Sequence, residues 1–345
     1  MGIRRGLKAR VCNDGNNAMN IDRRSALALL AASSLFALPS GAAAQNYPTR
    51  PIRLIVPYPP GGPTDVVARI FANSLGAKLG QTIVVDNRPG GAAGTVGSHV
   101  VANADPDGYT LLLNQAGSLT ISPSLYKLDY DPLKAFAPIG IVAATPEILV
   151  VNPSIPAKSV AEFITYAKSN PGKINFGTPG AGTLPHLLGA QFQLAAGIKI
   201  TAVPYRGAGP AVVDLLAGRM QMMIDSTSVL LTHIQAGKLR ALAVSSEKRL
   251  PQLPNMPTFA EAGYPQLTEN LWTGLLAPAG TPTPIIEKLS AALGETLKAP
   301  EVEKAYQKLD VEAKVVTPAG LASYMASETH KWAEVIANAG IKADN

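Results

Sequence analysis

The chain of 345 residues is 47% hydrophobic and 16% charged, which excludes a disordered or fibrous protein and leaves enough apolar matter for more than one small core. The net charge of +6 is concentrated at the start: residues 1–44 hold six Lys/Arg and two acids, leaving 24 basic and 22 acidic residues, or +2, beyond them. A body so nearly neutral carries no electrostatic footprint for nucleic acid.

Residues 1–44 read as an export signal. Arg23-Arg24 form a charged start, Ala26 to Leu38 an apolar core, and Ala42-Ala43-Ala44 a small-residue cleavage site before Gln45. Met19 is an alternative start. Asp22-Arg23-Arg24-Ser25 leaves the twin-arginine route open beside the general secretory one. The apolar run is too short for a permanent anchor. The single cysteine, Cys12, falls inside this segment, so the exported chain is expected to hold no disulfide, thiol nucleophile or cysteine metal ligand. A bacterial periplasm fits these features.

Ile52 to Val56 is apolar and β-branched enough for a buried strand. Pro57 to Asp65, with Gly61 and Gly62 at its centre, leads into a predicted helix from Val66 to Leu79, where Thr64 or Asp65 is placed to cap the first turn. A strand, a Gly-Pro loop and a helix start aim unpaired N–H groups and a helix dipole at one point, a geometry that favours an anion. Thr82 to Asp86 is a second strand, followed by a glycine-rich loop to Gly94 and a helix through Val96, Val100 and Val101. Tyr109 to Leu113 is a third strand, ending in the small polar loop Asn114 to Ser118. The alternation predicts a parallel sheet with helices on both faces.

Ile139 to Ala144 and Ile148 to Val151 read as strands broken by Thr145-Pro146-Glu147, a first crossing into another domain. A helix from Ser159 to Lys168 and a strand from Lys173 to Phe176 lead into Gly177 to Thr183, then a helix from Leu184 to Ala196 carrying His186. The strand Ile200 to Pro204, the helix Ala211 to Ala217 and a short strand Gln221 to Ile224 follow. Leu239 to Val244 is a further strand and the expected return crossing. Trp272 to Leu276 is the last strand, and helices fall at Pro284 to Leu297, Glu301 to Leu309 and Pro318 to Ala339.

Little in this pattern carries catalysis. Gly177 to Thr183 lacks the Gly-Lys-Ser/Thr ending of a phosphate loop and the third glycine of a dinucleotide fingerprint. His99, His186, His233 and His330 make no His-Glu-x-x-His, so no metal site is expected, and no Gly-x-Ser-x-Gly elbow exists. Asp225, ending a strand, can accept a bond from a ligand or cap the following helix. Arg206 is the one cation beside a candidate cleft loop, and a surface salt bridge is its alternative role.

The segments Val56 to Arg69, Asp86 to Gly94, Asp105 to Leu111, Phe176 to His186, Val203 to Gly207 and Trp272 to Pro282 resemble, in order, the Bug family, the periplasmic receptors of tripartite tricarboxylate transporters. The similarity covers nearly all of residues 46–340. It implies an α/β, two-lobed periplasmic binding protein fold, type II-like, with two crossover strands and a ligand cleft between lobes. The lobes expected are residues 46–143 with 249–345, and residues 144–248. The resemblance also implies that Tyr58, Pro60, Gly61, Gly62 and Thr64 face the ligand from one lobe, with Asn114, Ala116, Gly117 and Ser118 beside them. From the other come Thr178, Gly180, Gly182, Thr183, His186, Tyr205 and Asp225. The ligand implied is a small organic acid: mono- and dicarboxylates, aromatic acids and amino acids all remain open. The partners implied are membrane transporter subunits. The protein is expected to be a monomer, without cofactor, metal, nucleic acid or enzymatic activity. A sensor feeding a periplasmic signalling partner needs the same cleft and stays open, as does an exported hydrolase using His186 or Asp225.

Overall fold

The computed structural model describes residues 47–91, 94–339 and 341, so the export signal expected over residues 1–44 lies outside the described residues. In the first half, β1 (Ile52–Val56) runs parallel to β2 (Ile83–Asn87) and β3 (Thr110–Gln115), with α1 (Pro63–Leu79) and α2 (Thr95–Ala102) making the crossovers. A π-helical turn (Gly117–Ile121) and two four-residue helices, α3 (Ser122–Leu125) and α4 (Pro132–Ala135), lead to the long strand β4 (Phe136–Val151). In the second half come α5 (Val160–Ser169), β5 (Ile174–Thr178), α6 (Leu184–Ala196), β6 (Ile200–Pro204), α7 (Ala208–Leu216), β7 (Met222–Ser226), α8 (Thr227–Gln235) and β8 (Arg240–Val244). The chain then returns through β9 (Asn270–Pro278) and ends in α9 (Thr283–Leu297), α10 (Pro300–Gln307) and α11 (Pro318–Ala339).

The sheets are mixed, not purely parallel as the αβ alternation predicts. β9 runs antiparallel between β3 and the first half of β4, while β7 and β8 run antiparallel to the second half of β4. Beyond them β5 joins β7 in parallel and β6 forms the edge. β4 is one continuous strand of 16 residues, where a break at Thr145-Pro146-Glu147 was expected. Pro146, opposite Asn270, is the last position paired with β9, and Glu147 is the first paired with β7. A proline at such a changeover removes a donor where the strand is exchanging partners, so it does not end the strand. Ser245 ties the changeover together: its N–H donates to the Glu147 carbonyl at 2.8 Å, and its hydroxyl accepts from the Glu147 N–H and donates to the Glu269 carbonyl.

Apolar burial fixes the helices on these sheets. α1 lays Val67, Phe71 and Leu75 against Ile52, Leu54 and Leu113, each large side chain contributing about 1.5–3 kcal/mol. α7 and α8 cover Ile148, Val150 and Met223 through Ala211, Leu215 and Leu230. A third cluster runs through both halves, joining Ile55 and Leu112 to Phe176, Leu187 and Phe192, with Leu321, Met325 and Trp332 of α11 packed into it. The C-terminal helix therefore braces both sheets, and the loops at the carboxyl ends of the strands are left to face one another.

Candidate ligand-binding cleft

The carboxyl end of β1 opens into Pro57 to Gly62. Asp65 does not cap α1 as its position suggested. The N-cap is Gly62, with no side-chain cap, and the Asp65 carboxylate folds back over the loop. It accepts the Gly61 N–H at 2.9 Å, the Arg69 Nε–H at 3.0 Å and the Asn87 Nδ2–H at 3.0 Å. Burial alone would raise this carboxyl, but these bonds and the Arg69 charge outweigh it and hold it below its ordinary value. The Gly61 amide is thus committed to Asp65. The amides of Thr64 and Asp65, in the first turn of α1, have no partner within the helix.

Behind the loop lies a polar scaffold. Asn114, fully buried, accepts the Tyr58 hydroxyl at 2.9 Å and donates to Ser98 at 2.7 Å, and the Ser98 and Ser118 hydroxyls share a bond at 3.0 Å. Gln115 Nε2 donates to the Thr64 hydroxyl at 2.6 Å. Ala116, Gly117 and Ser118 lie in or beside the π-helical turn and are buried, where an open polar loop was expected.

From the second half, the loop after β5 is shaped by its own hydroxyls. Thr178 Oγ1 accepts the Gly180 N–H at 3.3 Å, and the Thr183 hydroxyl donates to the Gly180 carbonyl at 2.7 Å. His186 turns back from α6, its Nδ1 accepting the Gly182 N–H at 3.3 Å. Tyr205 spends its hydroxyl on Asp214 at 2.7 Å and so offers the cleft its ring.

These loops meet. An outer cleft of about 850 Å³ is lined by Tyr58, Gly90, Tyr126, Gly180, Thr183 and Tyr205, with Arg206 at its rim. Deeper in, a small chamber is walled by Tyr58, Pro60, Gly62, Gln115, Thr183 and Asp225. Seven of the residues singled out from the sequence therefore line the cavity: Tyr58, Pro60, Gly62, Gly180, Thr183, Tyr205 and Asp225. Gly61, Thr64, Asn114, Ala116, Gly117, Ser118, Thr178, Gly182 and His186 do not line it. Gln115, Tyr126, Gly207 and Leu271 also belong to the lining and were missed. Two of them carried a signal: Gln115 lies inside the polar loop Asn114 to Ser118, and Gly207 ends the segment Val203 to Gly207. The loops also touch across the cleft. A Cβ at Gly207 would stand 3.0 Å from Pro59 Cγ, and one at Gly182 would stand 3.0 Å from Tyr126 Cε2.

Four helices start at this cavity. Gly62 and Pro63 open α1, Thr183 and Pro185 open α6, Gly207 and Ala208 open α7, and Asp225 immediately precedes the Ser226 cap of α8. The first turns of α6, α7 and α8 carry no acidic residue, although the dipole would stabilise one there. Each terminus favours a bound anion by about 0.3–1 kcal/mol, more where buried. Among the described residues, no group of three His, Cys, Asp or Glu is placed to hold a metal ion, and no helix is long and apolar enough to cross a membrane.

An interlobe cleft at the ends of two sheets, walled by helix N-termini, defines a solute-binding protein of the two-lobed periplasmic type. Residues 67–341 match the model of the tripartite tricarboxylate transporter family receptor, and the chain belongs to that family. It is 39% identical to protein BugT of Bordetella pertussis over 323 residues, 91% of this chain and 98% of that one. It is similar to the structure of the periplasmic binding protein BugD (39% identity, TM-score 0.82, covering 86% of this chain and 99% of that one). Rpa4515 of R. palustris with adipate is similar too, at 35% identity and a TM-score of 0.83 over 86% of this chain and 99% of that one. MatC of Rhodopseudomonas palustris with bound malate follows at 32% identity and 0.79, covering 84% of this chain and 100% of that one. The protein is accordingly a receptor and not an enzyme, and the hydrolase reading falls away.

Proposed function

We propose that this receptor captures a small organic carboxylate in the periplasm, shuts its two lobes over it and delivers it to the membrane subunits of a tripartite carrier. The observation that carries the reading is the convergence of four helix N-termini on one chamber with no lysine or arginine inside it. Main-chain amides and helix dipoles neutralise an anion without the desolvation cost of a buried counter-charge. The relatives that hold adipate and malate support a dicarboxylate as the ligand class. The lobes are residues 46–143 with 249–345, and residues 144–248. Closure is driven by ligand that touches both only when they are shut. Residues 1–44 act as the cleaved export signal, so sequencing the exported protein is expected to begin at Gln45.

The test is thermal. Purified protein is melted with succinate, malate, adipate, glutamate, benzoate, glucose and arginine. At 100 times Kd a ligand adds about 2.7 kcal/mol of stability, which raises the melting point by several degrees. A rise with at least one acid is expected. Stabilisation by glucose or arginine alone overturns the reading.

A further inference from the structure

One buried acid walls the anion-favouring chamber, and a second lies on the strand next to it. Asp225 walls the chamber and is fully buried. Its Oδ1 accepts the Ser226 N–H at 2.8 Å, and its Oδ2 has no hydrogen-bond partner. On the neighbouring strand, one position along from the residue paired with Asp225, Glu147 is also fully buried, and neither of its carboxyl oxygens has a partner. Glu147 sits at the changeover of β4 between the two sheets, where Ser245 secures its main chain. No lysine, arginine or histidine pairs with either carboxyl among the described residues.

An ionised carboxylate so placed would cost several kcal/mol in lost hydration, offset at Asp225 only by the Ser226 amide and the start of α8, and at Glu147 by no hydrogen bond. A second charge nearby would add to that cost, and a bound anion would add to it again. The neutral acid removes all three penalties. It also changes the chemistry, because a protonated carboxyl is a donor where the ionised one only accepts. Since Oδ1 of Asp225 already accepts the Ser226 amide, the proton belongs on Oδ2.

Resting on the carboxylate-receptor reading, we propose that Asp225, backed by Glu147, binds the ligand as a protonated donor, so that the receptor captures a carboxylate together with one proton. The proton comes from solvent, forms an O–H bond at Oδ2 and remains there, hydrogen-bonded to a ligand carboxylate oxygen. Nothing is oxidised or reduced. The recognised species is a dicarboxylate accompanied by a proton, one negative charge fewer than the free dianion brings.

The electrostatics agree. Burial raises the Asp225 carboxyl to about 7, against a smaller opposing effect of the Ser226 amide. Burial, and then the charge of Asp225, raises Glu147 well above its ordinary value. Among the elements packed against β7, β4 brings Glu147, α6 His186, α7 Asp214 and α8 His233, while β5 brings no titratable side chain. Asp214 is committed to Arg219 and Tyr205, His233 lies in the last turn of α8, and the His186 Nδ1 accepts the Gly182 amide. Tyr58 faces the chamber from the first sheet, with its hydroxyl on Asn114.

The experiment is calorimetric titration of the protein with succinate, malate and adipate, each in two buffers of different ionisation enthalpy. With a free value near 7, uptake of about 0.9 proton per ligand is expected at pH 8 and about 0.1 at pH 6, and affinity should weaken toward tenfold per unit above pH 7. Asp225→Asn keeps a donor in place. It should bind within a few fold of the parent at pH 6 and lose both the uptake and the pH dependence. Asp225→Ala should bind at least tenfold more weakly. Zero uptake at pH 8, or proton release, overturns the proposal. A parallel infrared spectrum of ligand-free protein at pH 7 should show a protonated-carboxyl band that Glu147→Gln and Asp225→Asn diminish, and its absence also overturns the proposal. If neither these three acids nor glutamate or benzoate binds, the carboxylate-receptor reading fails; a protonated band in that case leaves buried neutral acids and overturns their donor role.

Discussion

Replacing Gly182 by alanine separates closure from folding. Gly182 has φ +74°, so an alanine there costs about 1–2 kcal/mol in backbone strain. That cost is present whether the cleft is open or shut, and it lowers stability without changing affinity. The new methyl carbon also stands 3.0 Å from Tyr126 Cε2 and 3.4 Å from Leu125 Cδ1, both carried by the other half of the molecule. If the lobes open and shut as proposed, this contact is made only in the shut form. Overpacking of that kind costs about 1–3 kcal/mol, so ligand affinity should weaken by about 5- to 150-fold. The assay is a double-mutant cycle on Kd with Tyr126→Ala, using whichever acid stabilises the parent. Removing the ring relieves the clash, so the two substitutions together should bind better than their separate effects sum to, with a coupling of at least about 1 kcal/mol. A Gly182→Ala protein with a lowered melting point but unchanged Kd, or a cycle that is simply additive, would refute the idea that these loops meet on capture.

Other positions give independent tests. Arg206, exposed on the cleft rim, should act on encounter: Arg206→Ala is expected to slow association several-fold at low salt, an effect that 0.5 M salt removes, while dissociation changes little. A change confined to dissociation would contradict this. Lys331 of α11 bridges Glu269 and Glu328 at 2.7 Å each, with the Trp332 indole donating to Glu328. Lys331→Met should lower unfolding free energy by about 1–3 kcal/mol, read from the midpoint in urea, because it leaves a largely buried Glu269 without its cation. An unchanged midpoint would show that the C-terminal helix is held by packing alone. The folded values of Asp225 and Glu147 are raised above the ordinary 3.8 and 4.5, chiefly by burial. Their contribution is therefore complete below those ordinary values and is lost as pH rises toward the folded ones, about 7 for Asp225. Asp225→Asn should raise the melting point of ligand-free protein more at pH 8 than at pH 5, and an equal effect at both would contradict the assignment.

Regular elements were the most legible part of the chain. α6 and β6 fall where the pattern puts them, because their apolar periods end cleanly at Gly197 and before Tyr205. The long strand β4 was not legible as one element, since a proline in sequence reads as a stop and only the change of partner explains its place. Nor was the antiparallel role of β9 visible, because its neighbours β3 and β4 lie far away in sequence. In the cleft, glycine loops after strands marked the right places. They did not show that the Gly61 amide is spent on Asp65, or that Tyr126, just after a four-residue helix, meets Gly182. Glu147 illustrates the limit best. In sequence it is one acid in a strand break, and only burial without a partner distinguishes it from the solvated acids around it.

The central claim, that four helix N-termini grip a carboxylate between the two sheets, is tested most directly by a crystal structure with the stabilising acid bound. Carboxylate oxygens are expected within hydrogen-bond reach of main-chain amides at the starts of α1 and α6, directly or through one water, beside Asp225. A ligand seated elsewhere, or one held in the cleft by lysine or arginine side chains with those amides turned away, would contradict it.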